Sequence, residues 1–292
     1  MCYIWTNTGA HGLNDVDILT RSNGIRIHDE EGFDGMRRAG RLVAQCLDMI
    51  APHVQPDVTT DSLDALIREF VLDHGAVSAT IGYRGYQHAS CISLNHVVCH
   101  GIPGNRVLKD GDIMNIDVTV IVDGGWHGDS SRMYVAGNAK RKAERLMDVT
   151  YESMIAGISA VKPGARVGDI GGAISAIAAK NRVSVVEDFC GHGLGQVFHD
   201  APNVVHSARA GTGEVLKPGM FFTIEPMLNL GKKDCATLSD GWTAVTRDRS
   251  LSAQFEHSVA VTETGVEIFT LSPTELHTPH NPKLGSSIAL PG

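Results

Sequence analysis

The sequence predicts an α+β protein made of two related halves that share one core, with a mostly antiparallel sheet. Two observations carry this expectation. The first is an internal duplication. Residues 107–118 read VLKDGDIMNIDV and residues 215–226 read VLKPGMFFTIEP, at an offset of 108. Five of the first ten positions are identical, and the next position is a carboxylate in both copies, Asp117 and Glu225. Upstream, VQPDVTTDSLDALI from Val54 and VKPGARVGDIGGAI from Val161 agree at Pro56/Pro163, Leu63/Ile170 and Ile67/Ile174. A unit of this length exceeds the roughly 20–50 residues of solenoid repeats, so it describes two halves of one structure. The second observation is that helical patterns precede strand-like patterns twice along the chain, the order expected of α+β architecture.

The elements follow in order. Met36, Ala39, Val43, Cys46, Leu47 and Ile50 recur at helical spacing and mark a first helix. After a proline-containing turn, Leu63, Leu66, Ile67 and Phe70 mark a second, with Asp61 the expected N-cap. The stretch MNIDVTVIVDGGWHGDSSRMYV reads as two strands around an Asp-Gly-Gly turn. With Val122–Gly124 as a three-residue loop, Ile121 faces Gly125, Thr119 faces His127 and Asp117 faces Asp129. In the second half, helices are expected over 140–160 and 168–180, separated by Pro163 and Gly164. Strand-like runs FFTIEPML and QFEHSVAVT follow. Residues 1–30 form an expected N-terminal extension and 31–271 a single domain of two repeated halves. Residues 272–292, rich in Pro, Ser and Gly, form an expected flexible tail.

Composition narrows the function. The 292 residues are 42% hydrophobic and 20% charged, with a mean hydropathy of −0.03, which fits a globular chain and not a disordered one. Asp plus Glu (33) outnumber Lys plus Arg (25), giving a net charge of −8; nucleic-acid binders are usually basic. No apolar run approaches the ~20 residues of a membrane span, and the N-terminus lacks the pattern of a signal peptide. Neither nucleic acid nor a membrane is therefore an expected partner, and the cytoplasm is the expected location. Six cysteines without a Cys-x-x-Cys pair read as reduced thiols. The run Lys140-Arg141-Lys142 reads as a solvated helix start.

The chemistry concentrates in four acids. Asp117 and Asp129 lie on the predicted hairpin, where opposed like charges repel. Glu225 repeats Asp117 in the other half, and Glu256 lies in a second apolar run. Unpaired carboxylates in such strands are costly, and metal ions are the natural compensation. His192, in CGHGLG, is the candidate imidazole, with glycines that allow close backbone approach. An oxygen-rich set with one imidazole suits Mn, Fe, Co or a catalytic Zn pair. Two such ions lower the pKa of a shared water.

The segments CISLNHVVCHGIP, MNIDVTVIVDGGWHGDSSRMY, CGHGLGQVFHDAP, FFTIEPM and SAQFEHSVAVT, in that order, closely resemble type I methionine aminopeptidases, and the likeness runs from about Ile27 to Thr270. The resemblance implies the pita-bread fold, with helices outside a curved sheet. It implies Asp117, Asp129, His192, Glu225 and Glu256 as ligands of two divalent ions (Co, Mn, Fe or Zn). It further implies Glu225 as general base and acid, His100 and His199 on the substrate path, and Tyr83, Tyr86, Cys91, Phe198 and Trp242 around a methionine side chain. The 31 residues from Glu225 to Glu256 match the type I spacing and the short bacterial form. In three places the sequence departs from the family pattern, one of them being the two extra tails, which are expected not to touch the chemistry. Asp117 and Asp129 are 12 residues apart, one more than usual, with the extra residue at Gly124-Gly125. Thr80 stands where many members carry Cys. The expected activity is removal of the initiator methionine ahead of a small second residue, by a monomer acting on nascent polypeptides at the ribosome. A prolidase or Xaa-Pro aminopeptidase shares the metal set but usually carries a large N-terminal domain. A non-catalytic protein of this fold would typically have lost ligands.

Overall fold

The computed structural model describes residues 21, 22 and 24–291; the first 20 residues of the expected N-terminal extension lie outside the described residues. Helix α1 (Glu30–Ile50) starts at Asp29, whose carboxylate accepts the Gly32 N–H, and carries acidic residues in its first turn, where they favour the helix dipole. Its predicted apolar positions, from Met36 to Ile50, are all fully buried. Helix α2 (Thr60–Asp73) begins two residues earlier than expected: Thr59, not Asp61, is the N-cap and accepts the Ser62 N–H. Thr59 is held extended by a bridge to Val107, which leaves Asp61 in the first turn. Helices α3 (Arg141–Ser159) and α4 (Val167–Asn181) lie within a residue of expectation, and Lys140, Arg141 and Lys142 are exposed.

The duplication is legible in the backbone. Thr59 bridges Val107 as Arg166 bridges Val215. Leu108 donates to Val58 O as Leu216 donates to Ala165 O, and Asp57 donates to Leu108 O as Gly164 donates to Leu216 O. Even the left-handed residues repeat: Asp57 (φ 68°) with Gly164 (φ 82°), and Gly111 (φ 87°) with Gly219 (φ 85°).

Every strand pairing among the described residues is antiparallel. In the first half Ile113–Val122 pairs with Trp126–Val135 on one edge and with both Ser90–Leu94 and Val77–Ser78 on the other. In the second, Phe221–Ile224 lies between Gly191–Gly193 and His257–Val261. Each half has its own core: Leu63, Ile67, Ile116 and Val118 under α1 and α2, and Leu146, Ile158, Ile174, Phe222 and Val259 under α3 and α4. The halves are joined by Glu256 N–H to Ser131 O (3.1 Å), Ser130 Oγ to Glu256 O (2.7 Å), Ser258 Oγ to Asp129 O (2.6 Å) and Asn115 Nδ2 to Gln254 O (2.8 Å).

The hairpin register differs from expectation by two residues. Val122 pairs with Trp126, so the loop is Asp123-Gly124-Gly125, with both glycines left-handed (φ 83° and 78°). Consecutive left-handed positions demand glycine, and β-branched Val122 is better placed in the ladder. Thr119 thus faces Asp129, and Asp117 faces Ser131. The two acids stay on one face but sit diagonally, where Cα separations are about 7–8 Å.

The last segment also departs from expectation. Residues 272–291 are not a loose tail but fold back on the domain. Ser272 and Thr274 donate to Asp48 of α1, and His280 and Asn281 reach Asp148 of α3. The short helix α5 (Pro282–Ser287) places Leu284 against the second core. Asp48 also receives the guanidinium of Arg132, which is 1% exposed.

Candidate metal centre

The acids lie where regular strands stop. Glu225 follows Phe221–Ile224 directly, before Pro226, and Glu256 sits between Ser252–Gln254 and His257–Val261. Both were expected inside continuous strands. Pro226 has no N–H to extend the ladder, and Glu256 makes only an isolated bridge, to Ser131. Asp129 and Glu256 are buried; Asp117, His192 and Glu225 are partly so.

Ligand atoms of Asp129, His192 and Glu256 all lie within 4.8 Å of one another. His192 Nε2 is 3.6 Å from Asp129 Oδ2 and 3.7 Å from Glu225 Oε1. Asp117 shares the ladder face of Asp129 and couples electrostatically to Asp129, Glu225 and Glu256. Burial, and then the charges of neighbouring carboxylates, push Asp117 and Glu256 well above the usual carboxylate range. Glu225 is likewise raised well above it, chiefly by burial, against the Thr223 hydrogen bond. Burial lifts Asp129 to about 7 despite the bond from Thr119. Such a set is at rest only with protons or with cations among its oxygens.

The histidine suits the second. Burial lowers His192 to about 4, so the ring is neutral at neutral pH. Its Nδ1 lies 3.1 Å from Gly193 O; a carbonyl only accepts, so Nδ1 carries the hydrogen. Nε2 then presents a lone pair toward the carboxylates, the arrangement of a metal-ligating histidine. The donor set fits divalent cations.

The remaining candidates form two groups of contacts. His199 packs on His192 (ring centroids 4.2 Å) and Tyr83 (5.3 Å), and Tyr83 also meets Phe198 (5.0 Å). Burial and neighbouring cationic groups hold His199 far below the ordinary histidine range, and its buried Nδ1 has no hydrogen-bond partner among the described residues. Trp242 meets Tyr86 (4.9 Å) and His100 (6.3 Å). Tyr86 is anchored through Oη to Ser90 O (2.9 Å), and Cys91 pairs with Asp117 across the ladder. His100 is left-handed (φ 57°), and burial lowers its pKa to about 4. Thr80 Oγ1 donates to His88 O (2.8 Å), bracing the loop that carries Tyr83 and Tyr86.

Sequence reasoning missed the groups that hold the candidate ligands. Thr119 Oγ1 donates to Asp129 (2.8 Å), Thr223 Oγ1 to Glu225 (2.8 Å), and Gln254 Nε2 to Glu225 (3.3 Å), while His206 Nε2 accepts the Glu225 N–H (3.1 Å). Their sequence signal is weak: Thr223 and Gln254 lie two residues from a candidate ligand, but His206 is 19 from Glu225.

A family model for metallopeptidase family M24 matches residues 34–263. The methionine aminopeptidase of Rickettsia prowazekii is 55% identical over 256 residues, spanning 87% of this chain and 98% of that protein. The chain belongs to the methionine aminopeptidases of family M24. Its fold is the M24 pita-bread fold, and the R. prowazekii crystal structure superposes with a TM-score of 0.84, covering 85% of this chain and all of that one. The Escherichia coli K12 methionine aminopeptidase is 51% identical, spanning 85% of this chain and 94% of that protein. A prolidase from Pyrococcus furiosus, 19% identical with a TM-score of 0.69, shares the fold; the chain covers 68% of it. As an M24 member the chain is a metal-dependent hydrolase of peptide bonds. No helix of the described residues is long and apolar enough to cross a membrane.

Proposed function

We propose that the enzyme removes the initiator methionine from nascent polypeptides that carry a small second residue. The single observation that carries this reading is the mutual placement of the Asp129–His192–Glu256 cluster and the Tyr83–Phe198–His199 ring stack, with His192 common to both through its contact with His199. Asp117, Asp129, His192, Glu225 and Glu256 hold two divalent ions of the Co, Mn, Fe or Zn class. Such ions supply Lewis-acid polarisation of a carbonyl oxygen and acidify water near neutral pH.

The chain's own groups do the rest. Tyr83, Tyr86, Cys91, Phe198 and Trp242 surround the first side chain, and aromatic faces with sulfur suit a thioether. Glu225 Oε atoms take the proton of the attacking water and pass it to the leaving amine as the C–N bond breaks. A neutral His199, packed on His192, and a neutral His100 serve as hydrogen-bond partners of the scissile group. A bulky second residue would displace the carbonyl, and a 1 Å misplacement can cost ~100-fold. The substrates are free N-termini at the ribosome, and the working form is a cytoplasmic monomer.

The test is peptide hydrolysis after loading with Mn, Co or Fe, with chelator-treated enzyme as control. The expected order of kcat/KM is Met-Ala-Ser well above both Ala-Ala-Ser and Met-Leu-Ser, with no turnover after chelation. Equal values for the three peptides would refute the selectivity. Preference for Xaa-Pro peptides would favour a prolidase-type activity.

A further inference from the structure

We propose that Thr223 is a positioning residue: its hydroxyl ties the main chain of His192 to the carboxylate of Glu225 and so fixes the two as one unit for metal. This rests on the reading of His192 and Glu225 as ligands. The direction of both hydrogen bonds follows from the donors available. The His192 main-chain N–H can only donate, and it lies 3.0 Å from Thr223 Oγ1. That oxygen is therefore an acceptor toward His192, and its own hydrogen goes to Glu225 Oε1, 2.8 Å away. Thr223 is fully buried, so no solvent competes for either bond.

The surroundings are built for this contact. The strand Gly191–Gly193 pairs with Phe221–Ile224 through Phe222 and Gly193. The strands approach closely at Gly191: a Cβ there would clash with the Thr223 carbonyl oxygen and lie 3.1 Å from Thr223 Oγ1. Glycine at 191 is what lets the His192 N–H reach the hydroxyl. The second Glu225 oxygen is met by Gln254 Nε2 at 3.3 Å, and the Glu225 N–H is taken by His206 Nε2 at 3.1 Å. Glu225 thus has its main chain and both oxygens fixed by uncharged partners, and Thr223 is the one that also reaches a second ligand. Each oxygen keeps lone-pair capacity for a cation, because each hydrogen bond takes only one site.

Removing the hydroxyl frees the Glu225 side chain to rotate and leaves the His192 N–H unpaired. Partners behind metal ligands typically contribute about 10–100-fold to metal affinity or activity. Thr223→Val and Thr223→Ser are compared with the parent in the full chain. Co(II) is titrated calorimetrically into metal-free protein, and kcat and KM are measured on Met-Ala-Ser. Thr223→Val should weaken Co(II) binding about 10–100-fold and lower kcat, with KM within about twofold because no substrate contact is touched. Thr223→Ser, which keeps the hydroxyl and loses only the methyl, should stay close to the parent in both. If Thr223→Val does not fold, as judged by near-UV circular dichroism, Thr223→Ala takes its place. Parental Co(II) affinity and kcat in Thr223→Val, or a Thr223→Ser variant as impaired as Thr223→Val, would overturn the proposal. Glu225→Gln separates it from the reading beneath it: parental Co(II) affinity in that variant removes the ligand assignment and this proposal together. Weakened binding in Glu225→Gln with parental binding in Thr223→Val removes only the positioning role.

Discussion

Asp48→Asn tests how the C-terminal segment and the strand that carries Asp129 depend on one carboxylate. Asp48 lies on α1 and receives the Arg132 guanidinium, the Ser272 hydroxyl on both oxygens (2.9 Å each) and the Thr274 hydroxyl (2.7 Å). Arg132 stands three residues beyond Asp129 on the same strand and also donates to Leu276 O (3.0 Å). Its side chain is 1% exposed and that of Asp48 11%. Neutralising Asp48 leaves a guanidinium buried without its counter-charge, and breaking a buried pair by removing one partner costs about 3–5 kcal/mol. At about 2–4 °C per kcal/mol for a domain of this size, Tm should fall by roughly 10 °C. Urea and thermal unfolding of Asp48→Asn, Arg132→Met and the double variant provide the assay. The double variant should be about 1–3 kcal/mol more stable than the sum of the single losses predicts, since it buries no lone charge. A loss below about 1 kcal/mol in Asp48→Asn, or strict additivity in the cycle, would refute the reasoning.

Docking of the C-terminal segment should also depend on acid. Burial raises the pKa of Asp148, but hydrogen bonds from His280 and Asn281 outweigh it and hold the group below its ordinary value. A depressed carboxylate stabilises the folded form above its unfolded pKa, and that contribution is lost as pH falls through the folded value. Hydrogen-exchange protection over residues 278–288, taken relative to the intrinsic rate at each pH, should therefore be high near neutrality and fall below the ordinary Asp range of about 4; pH-independent protection would contradict this. Gly128→Ala should destabilise by about 1–3 kcal/mol, because a Cβ there meets the Ala39 carbonyl of α1, whereas exposed Lys140→Ala should be silent in the same unfolding assay.

The sequence by itself determined what is periodic or repeated. The apolar spacing of α1 and the duplication at offsets of 107 and 108 are patterns of residue type along the chain, and each has a counterpart in the backbone. The acids and His192 were visible as candidates because charge in an apolar run demands a reason. Tertiary structure decided the register, the docking of residues 272–291, and the residues behind the candidate ligands. Alternation along a strand specifies which face a side chain takes, and a slip of two residues keeps every face unchanged. Only the need of Gly124 and Gly125 for left-handed backbone places the loop, and with it Thr119 opposite Asp129. The C-terminal segment is weakly patterned, and its order comes from Asp48 and Asp148, more than a hundred residues away in sequence. Thr223 is an ordinary strand residue until a neighbouring strand, admitted by Gly191, brings the His192 N–H to its hydroxyl. Such contacts depend on which strands become neighbours, and that follows from burying both halves of the core together, not from any short stretch of residues.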